Sequence, residues 1–272
     1  MATEKNLPIW KVRALANEPL WYLGYGSNMK ASSMTDRKVA PLATKIVRVP
    51  THYVTFDIFG IPYSEPCYAS IQEFPDGGNR NLDLVHAGGR MQVPPICGVA
   101  HLLNPVDFHR LLVTEGSGVV YDIIEVRAFE LGKANEVTPE SFPVYTLKAK
   151  WPQRPNATPS ARYMNLFLNG ARENNLPPEY ISYLERFPRY YKVEGSERTF
   201  GQRIFDGGWR PFLKRLVRLT TWNVDQDGNC PIYIALIIIW LYKAMWMYHD
   251  YIHRYVFGEG DGGKLYWKRV KE

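Results

Sequence analysis

From residue 20 to about residue 150 the chain carries a succession of short runs rich in β-branched and aromatic residues: WYLGY, KIVRV, YVTFDIF, ICGVAHLL, VYDIIEVRAFEL and VYTLKA. Each is bounded by Pro, Gly, Asn or Asp, so the pattern predicts strands separated by turns. Helical segments do not alternate strictly with them and no internal repeat is present, which argues against a doubly wound sheet. The expected class is α+β with a largely antiparallel or barrel-like sheet and flanking helices.

The helices announce themselves by their ends. Asn104 and Pro105 read as N-cap and first residue of a short helix through VDFHRLLV, because proline there forfeits only an N–H that has no helical partner. Phe108, Leu111 and Leu112 share its buried face. Two more helices run from Ser160 to about Asn174 and from Pro177 or Pro178 to about Phe187, broken by the prolines of NNLPP.

Composition bears on partners and compartment. The net charge is +6, but Lys and Arg are scattered and no basic run interleaves with aromatics, so nucleic acid is not an expected partner. Cys67, Cys97 and Cys230 are odd in number, far apart and without metal-ligand spacing, which points to a reducing, cytoplasmic setting rather than a disulfide framework. MATEKNLPIWKV lacks the apolar core of a secretory signal, so the sequon Asn156-Ala157-Thr158 is not expected to be used.

Two stretches carry chemistry. In WYLGYGSNM a strand ends in Gly-Tyr-Gly-Ser-Asn, leaving backbone N–H groups unpaired. The glycines permit close approach and positive φ, and Ser27 or Asn28 can cap the next turn. Such a concave set of donors binds an anion, most naturally a carboxylate or oxyanion, although an ordinary strand-to-helix turn reads the same way. The stretch is neither a phosphate loop nor a dinucleotide fingerprint. In FHRLLVTEGSGVVYDIIEV, Glu115 sits where a helix must end, at the lip of an apolar region that disfavours the charged carboxylate. The expectation is a pKa raised toward the range useful to a general base, against the commoner solvated Glu before Gly.

Together these stretches resemble the γ-glutamylcyclotransferase family. WYLGYGSNM is similar to its Tyr-Phe-Ala-Tyr-Gly-Ser-Asn-Leu signature, and TEG to its catalytic Gln-Glu-Gly. PSARYMNLFLNGARENNLPPEYISYL, residues 159–184, resembles its Pro-Ser-x-x-Tyr, Gly-Ala and Leu-Pro-x-x-Tyr segment in the same order. The resemblance covers residues 20–190 and implies a small mixed barrel, no metal and no cofactor. It implies a small-molecule γ-glutamyl substrate whose α-carboxylate lies on the loop, so that its own α-amino group attacks its γ-carbonyl. The reaction releases 5-oxoproline and an amine. Carried over, Glu115 is the catalytic carboxylate; Tyr22, Leu23, Gly24, Tyr25, Gly26 and Ser27 line the substrate groove; Asn28 braces the loop; and Tyr163 reaches the substrate. Tyr121 is expected in the core with its hydroxyl satisfied. Two other functions stay open: another cyclisation or amide cleavage on a biosynthetic intermediate at the same site, and a non-catalytic carboxylate-binding module.

The chain departs from the family in three places. Leu-Leu-Val-Thr precedes Glu115 where the family often has Leu-Asp-x-Gln, PDGGNRNLDLVHAGGRMQVPP reads as an inserted loop, and a long segment follows the core. An accessory tail on such a core resembles fungal members that trim glutathione adducts in the biosynthesis of sulfur-containing secondary metabolites. The expected division is a catalytic domain over 18–191 and an extension over 192–272 with a hydrophobic helix at about 231–256. Because the motifs all precede Tyr191, a chain ending there is expected to keep the catalytic set. Residues 231–248 are apolar apart from Lys243, and as a helix would run roughly 27 Å, short of a roughly 30 Å hydrocarbon core. The tail then has three placements: packed on the core or on a second copy of the chain in a homodimer, lying on a membrane surface, or spanning the bilayer. His249 and His253 lie four apart with Asp250 beside them, but no further ligand cluster supports a metal. GEGDGGK nearly copies a phosphate loop; Leu265 standing where Ser or Thr is needed, two acidic residues and the lack of a preceding strand exclude it.

Overall fold

The alternating runs close on themselves. The computed structural model describes residues 7–75, 82–116, 119–132, 135–192, 199–223 and 230–269. Of the stretch expected as an inserted loop, residues 76–81 lie outside them and most of the rest is an antiparallel hairpin; Ser117 and Gly118 after Glu115 also lie outside them. A short helix α1 (Ile9–Leu15) precedes β1 (Leu20–Gly24), a 3-10 turn (Ser27–Met29), α2 (Ala31–Asp36) and β2 (Ala43–Val49). The ribbon β3 (His52–Ile61) and β4 (Glu65–Glu73) follows, then β5 (Leu82–His86), β6 (Gly89–Gln92) and β7 (Ile96–Leu103). After α3 (Pro105–Thr114) come the long strands β8 (Tyr121–Leu131) and β9 (Val137–Ala149). The order β1-β7-β2-β8-β9 forms a closed barrel, antiparallel except where β1 meets β9 through Tyr22 and Tyr145. Closure leaves these strands without a free edge.

The ribbon β3–β4 lies over this barrel and carries the aromatic centre of the core. The Phe56 ring lies 4.8 Å from that of Phe187, 5.6 Å from Phe167 and 6.4 Å from Tyr163. These partners come from the helical region after β10 (Asn156–Ala157), where α4 (Ala161–Glu173) and α5 (Pro178–Arg186) form as the capping pattern requires. The Ser160 hydroxyl accepts from Tyr163 N at 3.0 Å, and at α3 the Asn104 side chain accepts from Asp107 N at 2.8 Å with Pro105 next to it. Phe108, Leu111 and Leu112 turn into the second apolar cluster with Leu20, Tyr22 and Leu147.

The segment after Lys192 is laid onto the same body. It contains α6 (Phe200–Trp222), α7 (Ile232–Tyr248), a π turn (His249–His253), α8 (Arg254–Phe257) and a strand, β11 (Lys264–Arg269). That strand pairs with β5 on one side and β10 on the other, in the order β10-β11-β5-β6, so the end of the chain completes a sheet begun before residue 90. On α7, Trp246 Nε1 donates to Gly60 O of β3 at 3.0 Å. Residues Ile232–Phe257 are long and apolar enough to cross a membrane by length and composition. One face of this helix packs on the core, with Ala235, Ile238, Ile239, Met245 and Trp246 buried. The other is bare: Trp240 is 64% exposed and Tyr251 74%.

GEGDGGK serves this docking. A Cβ on Gly260 would lie 2.4 Å from the Tyr63 ring, and Gly262, at φ +70°, would place one 2.8 Å from Tyr190. Tyr63 N donates to Gly260 O at 2.6 Å. The glycines thus allow close approach and a left-handed turn rather than a phosphate cradle. Lys264 at its end pairs with Asp261 at 2.6 Å and Asp250 at 3.3 Å, and Asp250 is bonded to His249 at 2.8 Å. The sequence showed no third ligand beside His249 and Asp250, but the fold brings Asp261 to them, with the ligand atoms of all three within 4.8 Å of one another and the Lys264 ammonium paired to both carboxylates. Cys67, Cys97 and Cys230 are free and buried.

Candidate active site

Glu115 is the C-cap of α3, and Gly116 beyond it takes φ +70°, the left-handed conformation that ends the helix. Two apolar residues of the same helix, Leu111 and Leu112, face the core, so the chain turns at Glu115 with its carboxylate near the surface and only 16% exposed. The C-terminal end of a helix disfavours negative charge. Arg37, the C-cap of α2, supplies the compensation: its Nη2 donates to Glu115 Oε1 and its Nη1 to Ser33 O at 3.0 Å. The ion pair puts a cation against the apolar lip that alone would disfavour the carboxylate.

Glu115 and Arg37 open onto a cavity of about 380 Å³ that Ser27, Tyr121 and Tyr163 also line. The two tyrosines clamp one residue of β4: Tyr121 OH donates to Ala69 O at 2.9 Å, and Ala69 N donates to Tyr163 OH at 3.2 Å. Tyr121 therefore has the satisfied hydroxyl expected of it while also facing the cavity. Burial pushes both phenols well above their ordinary range, with the Glu115 charge acting in the same direction. Tyr22 and Tyr25 are raised in the same way, burial first. All four rings stay neutral at physiological pH and act as hydrogen-bonding groups beside one carboxylate.

The Gly-Tyr-Gly-Ser-Asn loop is built differently from the expectation of positive φ. Gly26 has φ −131° and Gly24 lies within β1; neither is left-handed. What they lack is a Cβ: one on Gly24 would stand 2.7 Å from Asn28 O, and one on Gly26 would stand 3.0 Å from the Phe167 ring. The loop folds back over Gly24 and seats against α4. Met29 N closes the 3-10 turn on Gly26 O at 3.0 Å, while among the described residues the amides of Ser27 and Asn28 donate to no backbone carbonyl. Asn28 braces the loop through its side chain, donating to Tyr22 OH at 3.1 Å, and through its carbonyl, 3.1 Å from His101 Nε2. Burial lowers the His101 pKa, so the ring is neutral and that nitrogen donates. Gly24→Ala meets backbone rather than a yielding side chain, so it is expected to cost about 1–3 kcal/mol, read as a lower denaturation midpoint at unchanged m-value.

Of the positions that the resemblance assigns to the site, Ser27, Glu115 and Tyr163 meet at the cavity. Tyr22, Leu23, Gly24, Tyr25, Gly26 and Asn28 are not among the residues that line it; Leu23 is wholly buried and Tyr25 OH donates to Leu147 O at 2.8 Å. Arg37 was not anticipated. It lies 78 residues from Glu115, and a cation after a short helix gives no sequence signal of an ion pair. Nor were Ile238, Ile239 and Tyr242 of α7, which line the same cavity. The hydrophobic run was plain, but not where it lies.

A family model described as the AclK C-terminal domain matches residues 196–256. The chain is 70% identical over 168 residues to the gamma-glutamyl cyclotransferase verK of Clonostachys rogersoniana, a match covering 62% of this chain and 94% of that protein. It is 43% identical over 252 residues to the gamma-glutamyl cyclotransferase gliK of Aspergillus fumigatus, with 92% of each chain covered. To the gamma-glutamyl cyclotransferase aclK of Aspergillus oryzae it is 30% identical over 269 residues, covering 96% of each.

Proposed function

We propose, for a chain that belongs to the gamma-glutamyl cyclotransferase family, that it cleaves a γ-glutamyl amide by internal cyclisation, with Glu115 moving the proton. The observation that carries this reading is one carboxylate, held by Arg37 on the wall of the cavity that Ser27 and Tyr163 share. The substrate's α-carboxylate is placed on the amide of Ser27, which lines the cavity and has no backbone partner among the described residues. That placement brings the α-ammonium toward Glu115. Arg37 holds Oε1, so Oε2 takes the proton. The freed amine attacks the γ-carbonyl carbon and forms a C–N bond. Glu115 then returns the proton to the departing nitrogen as the amide C–N bond breaks, and the second proton shed by the ring nitrogen passes to the released amine, which leaves as an ammonium. The products are 5-oxoproline and the free amine, and no water is consumed. Fixing both ends of one molecule in attack geometry supplies much of the acceleration, and proton transfer by a placed carboxylate the rest.

The substrate we favour is a glutathione-derived adduct in secondary-metabolite biosynthesis, and the setting the cytoplasm, with the bare aromatic face of α7 resting on a lipid surface. The reaction is tested by incubating the purified chain with γ-glutamyl dipeptides, glutathione and S-substituted glutathiones. The expected result is 5-oxoproline in equal amount to the released amine. Release of glutamate instead would replace cyclisation by hydrolysis, and binding without turnover would leave a carboxylate-binding module.

A further inference from the structure

The cavity is lined by two unlike sets of residues. Ser27, Arg37 and Glu115 are polar or charged, Arg37 and Glu115 being paired. Phe59 and Tyr68 of the ribbon, with Ile238, Ile239 and Tyr242 of α7, are largely apolar, and the Phe59 and Tyr242 rings lie side by side. On the reaction proposed above, the γ-glutamyl head needs the polar set, and the surface left for the departing amine is the apolar set. Resting on that reading, we propose that α7 is the wall of the leaving-group subsite and that Ile239 and Tyr242 select γ-glutamyl amides whose amine carries apolar bulk.

The wall is fixed rather than laid loosely over the opening. Trp246 Nε1 bonds to Gly60 O at 3.0 Å, one residue beyond Phe59, and the rings of Phe59 and Tyr242 stand 6.4 Å apart. Ile238 is 4% exposed and Ile239 3%, so the small surface each retains is turned to the cavity. None of these five residues carries a carboxylate, ammonium or guanidinium. The Tyr68 and Tyr242 hydroxyls are the polar groups there, so a bare polar amine exchanges its hydration for few partners, whereas an aliphatic or aryl group is removed from water against three side chains of α7. The outer face of the same helix is bare and the inner face is matched to the site, so the extension after residue 192 acts as part of the binding pocket.

Glutathione and S-benzylglutathione test this, since they differ only by a benzyl group on sulfur. In the full chain, kcat/KM is expected to be higher for the benzylated compound. Tyr242→Ala and Ile239→Ala should each reduce the ratio of the two values by about tenfold, the discrimination one apolar contact gives, and the change should fall on KM. Ile239→Trp fills the space and should reduce the ratio further. Loss of both substrates by the same factor, or an unchanged ratio, would overturn the subsite. A second measurement separates the subsite from the reaction: calorimetric binding of S-benzylcysteinylglycine, the amine product, needs no turnover. If Tyr242→Ala weakens that binding in a chain that forms no 5-oxoproline, the subsite stands and the reaction falls. If affinity is unchanged while 5-oxoproline forms normally, the subsite falls and the reaction stands.

Discussion

Glu115→Gln is expected to lower turnover by at least about 100-fold, the lower range of what a placed proton-transfer group contributes, while a γ-glutamyl substrate still binds. The substitution keeps the shape of the side chain and an oxygen for Arg37, and it removes the only carboxylate lining the cavity among the described residues. It also leaves the part-buried Arg37 guanidinium without its counter-charge, and its Nε already has no partner among the described residues. Some loss of stability is therefore expected alongside the loss of chemistry. Thermal unfolding and calorimetric titration with a γ-glutamyl dipeptide separate the two. A folded Glu115→Gln chain that binds but does not turn over fits the role given to this residue, and near-normal 5-oxoproline formation would move the base elsewhere.

The parts of this molecule that were legible in its sequence are those whose cause is local. Runs of β-branched and aromatic residues bounded by turn formers marked β1, β2, β3, β7, β8 and the second half of β9, because such side chains suit a pleated, buried surface. Asn104 and Ser160 marked helix starts because a cap acts within three residues. The strand β4, with Pro66, Cys67 and Ser70 among its residues, carries no such run and is made by pairing with β3. The strand β11 exists because β5 and β10 lie far away in sequence and close in space. At the site the same distinction holds. Glu115 could be found from the residues around it, whereas Arg37 is tied to it only through the fold. Gly24 and Gly26 were recognisable as necessary, but a glycine needed for positive φ and one needed for want of a Cβ look alike in sequence. The helix α7 is apolar on nearly every side, and a run without an amphipathic period does not say which side is inward.

A chain ending at Tyr191 is expected to lose cyclotransferase activity and to aggregate, contrary to what the order of the motifs suggests. The cut keeps Ser27, Glu115 and Tyr163 but removes Ile238, Ile239 and Tyr242 from the cavity wall. It also removes β11, whose register with β5 runs from Tyr266 opposite Val85 to Arg269 opposite Leu82. Without that strand, β5 and β10 each present an unpaired edge. Trp267 no longer stands against Tyr53, where the rings lie 6.4 Å apart. Gly60 O loses the Trp246 bond, and Tyr63, at φ +62°, loses the Gly260 carbonyl that holds its amide. Apolar surface on β3 and β4 that α7 covers is then open to water, and contiguous patches of this kind drive association. The measurement is soluble yield, oligomeric state and kcat/KM for a γ-glutamyl amide at the two lengths. A fall in kcat/KM of more than about tenfold in whatever stays soluble is expected, since both the pocket wall and its support are missing. A monomeric chain of 1–191 with the activity of the full protein would mean that the barrel alone holds the substrate, and that α7 covers the site without shaping it.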